Sequence, residues 1–224
     1  MQMRAAKRKR AESRAAAAKG GDAPEIDGRV RRSVLSRERI LDALMELVSE
    51  GDLQPTGQRV AARAGIGLRT VYRHFEDMES LYRELNDRVT QLVAPAAEPP
   101  PSGSVDERIA AMVRFRVRTY ERAAPFIRSG ATLRWRSQFL KQAQSDMVRT
   151  MSDNLRRALP ELADVAEHRR EAIELVTSFE AWERLRTDQK LGRERAQAIV
   201  EATVRDLLDA GRAHQVRRAK TSRA

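Results

Sequence analysis

Residues 56–85, TGQRVAARAGIGLRTVYRHFEDMESLYREL, constrain the fold more than any other stretch, because two short helical patterns meet there across Gly65-Ile66-Gly67. Thr56 is a good N-cap, its hydroxyl able to accept from an orphan backbone N–H, and Val60, Ala61 and Ala64 follow at spacings that give one apolar face. Gly65 stops this helix, since glycine adopts positive φ without a Cβ penalty. A second helix is predicted over about Leu68 to Phe75, seated on Val71 and Phe75, which lie four apart and therefore on one face. Its other face carries Arg69, Thr70, Arg73 and His74. Small Ala61 and Ala64 let the two helices cross closely, as a helix-turn-helix requires, and the second is short enough for its N-terminal residues to reach base edges in the major groove. A guanidinium can grip guanine O6 and N7 together, and a threonine offers a hydroxyl and a methyl.

Helices flank this pair. Ser36 is positioned to cap one whose Ile40, Leu41, Leu44, Leu47 and Val48 form an apolar stripe ending at Gly51. Asp77 can cap the next, with Glu79 at its positive end and Leu81, Leu85, Val89 and Leu92 along one edge until Pro95.

Thr56, Val60-Ala61, Ala64-Gly65-Ile66, Val71-Tyr72, His74-Phe75, Glu79 and Leu81 together resemble the helix-turn-helix signature of the TetR family of bacterial transcriptional regulators, over about residues 36–92. The resemblance implies that Tyr72 and His74 hold DNA phosphates and that Thr56 contacts a phosphate at the start of its helix. It implies that Arg69, Thr70 and Arg73 face bases or the adjacent backbone. Gly67 stands where the family usually has a serine or threonine cap, which leaves backbone N–H groups to do that work. Met78 stands where a phosphate-contacting lysine is common, so it is not counted in the site. Further implications are a homodimer, a double-stranded operator, and a helix from Asp77 that links the DNA head to the body.

The net charge of +11 is not an argument for nucleic acid by itself. Residues 1–20 hold seven Lys or Arg against one Glu, and residues 212–224 five against no acid, which accounts for the whole excess. The C-terminal tail reads as a solvated, disordered segment. The N-terminal arm, just before the DNA head, can follow a phosphate backbone or minor groove and add salt-dependent affinity.

The expected organisation is a basic disordered arm over 1–33, a helix-turn-helix domain with its linking helix over 34–95, a helical effector-binding and dimerisation domain over 104–211, and a basic tail over 212–224. EPPPSGS, residues 98–104, is the clearest internal break. Ser104 opens a capping box with Glu107, and Ile109, Met112, Val113, Val117 and Tyr120 recur at helical spacing until Pro125 ends or kinks the helix. Further helices are predicted over about Gln138–Leu159, Ala163–Gln189 and Arg193–Ala210. No strand alternation or phosphate-loop motif appears, so the fold class is all-α. The absence of cysteine excludes a disulfide framework and fits a reducing cytoplasm. No run approaches the roughly 20 apolar residues of a membrane span. The expectation is a soluble, cytoplasmic protein.

The last two helices are apolar over more than one arc. Val176, Ile199, Val200, Val204, Leu207 and Leu208 are the dimerisation candidates, one arc packing on the body and the other on a twin subunit. Two recognition helices related by a two-fold axis would read a palindrome-like operator.

For a small-molecule effector, Arg116, Gln144 and Glu183 fall inside otherwise apolar arcs. They either pair internally, as Arg116 with Glu183, or meet a ligand. Tyr120, Phe139, Met147, Met151 and Phe179 complete the candidate lining, with Phe115, Trp135 and Trp182 as further possibilities. An enzyme is disfavoured: His74, His168 and His214 lie in the recognition helix, on a charged face and in the tail. No nucleophile has a recognisable base, and no metal or cofactor set is present. The predicted function is a DNA-binding regulator, a repressor released by an effector; an effector-independent architectural DNA-binding protein is the alternative.

Overall fold

The computed structural model describes residues 24–93 and 102–221; side chains are described for 28, 30–93 and 102–210. Nine α-helices run through the described residues: α1 (Pro24–Ser49), α2 (Gly57–Ala64), α3 (Leu68–His74), α4 (Met78–Val93), α5 (Val105–Leu133), α6 (Gln138–Ala158), α7 (Glu167–Val176), α8 (Phe179–Glu183) and α9 (Arg193–Thr221). No strand occurs among them. None is long and apolar enough to cross a membrane.

Two apolar cores result. In the head, Ile40, Leu44 and Val48 of α1 close over Val60 and Ala64 of α2, Val71 of α3 and Leu81 and Leu85 of α4. In the body, Ile109, Met112 and Val117 of α5 meet Leu155, Ile173, Phe179, Val200, Val204 and Leu208. The stripes that the helical periods predict supply much of both cores, but Leu92 near the end of α4 is exposed and outside the head core.

The capping residues act as their chemistry suggests. Thr56 Oγ1 accepts from Arg59 N at the start of α2. Ser104 and Glu107 form the reciprocal capping box of α5. Asp77 and Ser80 do the same before α4, with Asp77 Oδ1 accepting from Ser80 N at 2.7 Å.

Several boundaries differ from the sequence expectation. Helix α1 begins at Pro24 rather than at Ser36, so residues 24–33 of the presumed disordered arm are helical; Ser36 lies inside, its hydroxyl donating to Arg32 O. Residues 1–23 and 94–101, which include most of the arm and the proline run, lie outside the described residues. Pro125 does not end α5, which continues through Leu133. The single helix expected over Ala163–Gln189 is broken up. A 3₁₀ turn spans Pro160–Asp164, α7 stops at Val176, and Ser178 restarts the chain by accepting from Ala181 N. A π-helical turn, Arg184–Asp188, follows α8. Finally α9 runs through Gly211 to Thr221, correcting the disordered tail over 212–221. One glycine costs a helix only about 1 kcal/mol relative to alanine, too little to end it.

Candidate nucleic-acid interface

The turn between α2 and α3 is a Schellman motif. Gly65 sits at φ 64° and ψ 38°, its N–H donating to Ala62 O, while Ile66 N reaches back to Ala61 O at 3.1 Å. Arg39 braces this corner from α1, donating to Ala64 O at 2.6 Å. Gly67 then caps α3 in extended geometry with no side-chain bond, its carbonyl accepting from Thr70 N and Val71 N.

Helix α3 stands on Val71 and Phe75, both buried. Its outer surface carries Arg69, Tyr72 and Arg73, all exposed, with Thr70 half-buried beside them. None of the two guanidinium groups makes a hydrogen bond or ion pair within the described residues. The helix thus offers two free cationic forks, a phenol and a threonine side chain on one exposed surface.

Tyr72 is 45% exposed, and its hydroxyl lies over the first turn of α2. A Cβ on Gly57 would meet Tyr72 Oη at 2.6 Å, so glycine at 57 is what lets the phenol lie against the start of α2. Nothing in the local helical pattern of Gly57 signals that requirement, because it arises from a residue fifteen positions later.

His74 is placed differently from its neighbours. Its Nε2 is buried with no hydrogen-bond partner, and burial first, then the charges of Arg73 and Arg37, hold its pKa below the ordinary value. The ring therefore stays neutral near pH 7. The carbonyl of His74 accepts from Arg37 Nη1 at 2.7 Å, and the same guanidinium lies 4.4 Å from the Phe75 ring centroid and pairs with Glu84. Arg37 thereby joins α1 to the end of α3 and to α4. Sequence periodicity marked only the apolar stripe of α1 and passed over both Arg37 and Arg39.

Behind the head, α4, α5 and α6 enclose a cavity of about 500 Å³. Of the eight ligand candidates, Tyr120, Phe139, Gln144, Met147 and Met151 line it. Arg116, Phe179 and Glu183 do not. Arg116, 4% exposed, donates to Thr177 O, Thr177 Oγ1 and Met151 O, so it ties α5 to the end of α7 and to α6. Glu183 pairs with Arg128 instead, which overturns the Arg116–Glu183 alternative. The Arg128 guanidinium holds the Glu183 carboxyl below the usual range. Phe179 packs edge-on against Tyr120, at 5.6 Å between centroids. Trp135 is 76% exposed and away from the cavity.

The cavity wall touches the head directly. Ser129, a lining residue, donates to Leu53 O at 2.8 Å, in the turn between α1 and α2, and Phe126 packs on the head core. Tyr82, also lining, sits near Asp52 of the same turn; burial, then that carboxylate, push its hydroxyl up to about 12.

The dimerisation candidates divide in two. Val200, Val204 and Leu208 are buried in the chain's own core, which removes them from any subunit interface. Val176, Ile199 and Leu207 are half-buried, and neighbouring Leu175 on α7 is 68% exposed. Leu175 belongs with them on exposure, a property its place in the helical period did not separate from core.

Comparison with known proteins agrees with this geometry. Residues 40–85 match the family model for bacterial regulatory proteins of the tetR family. Among solved structures, a transcriptional regulator from Rhodococcus sp. Rha1 is similar with a TM-score of 0.57 at 17% identity, covering 78% of this chain and 96% of that one. One from Streptomyces coelicolor A3(2) gives 0.53 at 20% identity, covering 75% and 98%. A TetR-family regulator from Mesorhizobium loti MAFF303099 gives 0.51 at 16%, covering 80% and 98%. At these identities the solved structures speak for the fold alone. The comparison with curated proteins gave no match. Residues 40–85 therefore carry the helix-turn-helix signature of the tetR family of bacterial regulatory proteins, and the helical body behind it shares the fold of solved transcriptional regulators.

Proposed function

We propose that the protein is a homodimeric repressor that binds a palindrome-like operator and leaves it when a small molecule enters the cavity between α4, α5 and α6. Arg69, Thr70 and Arg73 read base edges or flank them, while Thr56, Tyr72 and the backbone of Gly67 hold phosphates. His74 contributes through the part of its ring other than the sealed Nε2. Basic residues before α1 add affinity without sequence information. The subunits pair through the exposed faces of α7 and α9.

The contact of Ser129 with Leu53 O carries the release step. An effector can move an equilibrium only by preferring one arrangement over another, and here a residue of the cavity wall is hydrogen-bonded to the turn that leads into Thr56 and α2. The lining mixes Met147, Met151, Phe139 and Ile127 with Asn86, Thr119 and Gln144, and carries Asp87 and Arg134 as well, which suits an apolar molecule bearing a polar group. Compounds of that kind, screened for release of a selected operator, test the reading. Release is expected to be blocked by filling the cavity with Ala143→Trp while DNA affinity is kept. Release by the same compounds from the Ala143→Trp protein would contradict it.

A further inference from the structure

A second cleft, of about 470 Å³, lies where the end of α4, the middle of α5 and the start of α9 come together. Half-buried Val93 and Thr119 and buried Phe115 supply its apolar part, and Arg118, Arg122 and Arg193 supply exposed guanidinium groups. Arg118 and Arg122 are four apart on α5, so their side chains leave the same face.

Several arginines of the body are matched to an acid, among them Arg108 to Glu161, Arg128 to Glu183 and Arg205 to Asp106. Arg118, Arg122 and Arg193 have no hydrogen bond or ion pair within the described residues. The acid of the cleft, Glu121, is already occupied. Trp182 Nε1 donates to its Oε1 at 3.1 Å and Arg186 Nε at 3.2 Å. Arg186 belongs to the π-helical turn and is fixed there by a second bond to Leu191 O. That turn neutralises Glu121 and leaves three like charges facing one space.

We propose that this cleft binds a small phosphate-bearing anion. Guanidinium forks match phosphate oxygens in pairs, and three of them suit a group with more than one negative charge better than a single carboxylate. Arg193 is also the first residue of the 29-residue α9, where the helix dipole favours an anion. The uncharged part of the ligand lies on Val93 and Phe115. DNA held by α3 is not the occupant: α4 begins beside α3, and Val93 is its last residue, about 22 Å further along the helix axis. The site is therefore separate from the DNA surface; it adjoins the cavity that Ser129 lines, with which it shares Val93 and Thr119.

Calorimetric titration of the full-length protein with inorganic pyrophosphate at about 150 mM salt tests this, because surface attraction alone is screened there. Arg118→Gln/Arg122→Gln is expected to weaken binding about tenfold or more. Arg149→Gln/Arg195→Gln, which removes the same charge elsewhere on the body, is expected to leave it within about twofold. Arg193→Gln, exposed at a helix start, is expected to weaken it about threefold and serves if the double variant does not fold. Adenosine diphosphate is expected to bind more tightly than pyrophosphate. No saturable binding, equal weakening in the two double variants, or an unaltered Arg193→Gln protein would overturn the site. Equal or weaker binding of adenosine diphosphate would overturn the role given to Val93 and Phe115.

Discussion

Arg69 and Arg73 are cationic side chains left without a partner among the described residues, next to arginines such as Arg37, Arg39 and Arg63 that make hydrogen bonds or ion pairs. If either reads a base, Arg69→Ala or Arg73→Ala will cost about 1 to 3 kcal/mol of operator affinity and relax preference at one position. Competition with point-mutated operators measures both effects; full affinity and preference in both variants would contradict the assignment. Gly57→Ala is a subtler probe, because its Cβ displaces the Tyr72 hydroxyl. The phenol is exposed and can swing out, so stability is expected to fall by only about 1 kcal/mol while DNA affinity drops severalfold. Thermal melts alongside binding assays separate the two. His74 adds a pH dependence with a definite sign. Its folded pKa is depressed, so between the unfolded value and the lower folded one the unfolded chain binds more protons, and stability falls as pH drops below about 6.5. Urea unfolding of the His74→Gln protein should show a shallower loss over that window. Thr56 as a cap, Gly65 as a helix stop and the outward face of Arg69 and Arg73 were legible in the sequence because each is a local property. Gly57, Arg37 and the sealed edge of His74 were not, since each depends on a residue from another helix.

At the scale of elements, the helical periods identified the apolar stripes that pack, and the capping residues before α2, α4 and α5 fixed those starts. What they could not reveal is where a continuous stripe is cut. Between α7 and α8 the pattern Ile173, Val176, Phe179, Trp182 continues unbroken, yet Thr177 bonds back to Ile173 O and takes Arg116 and Tyr120 on its own carbonyl. The break is made by partners on α5. The same limit hid the contact between α5 and the α1–α2 turn. Ser129→Ala removes the stronger of two hydroxyl donors to Leu53 O, leaving Thr132 at 3.4 Å. Destabilisation of about 1 kcal/mol is expected, with faster amide exchange confined to the α1–α2 turn. Exchange unchanged in that turn would show that the head does not lean on α5 there.

For the whole molecule, the two cores divide the chain into a reading head and a body, and the cavity lies against the seam between them. The proposed pairing of two such chains would use the faces of α7 and α9 that intrachain packing leaves over. Leu175→Glu with Ile199→Glu is expected to give a folded monomer with greatly weakened operator binding, whereas Val200→Glu, inside the core, is expected to unfold the body. Light scattering and circular dichroism distinguish these outcomes. Sequence reasoning found both arcs of α9, but only burial assigns Val200, Val204 and Leu208 to the inner one. The most direct test of the account is selection from random duplexes by the full-length protein. It predicts one enriched site with two inverted halves, lost with Arg69→Ala/Arg73→Ala; sequence-tolerant binding with no inverted repeat would contradict it.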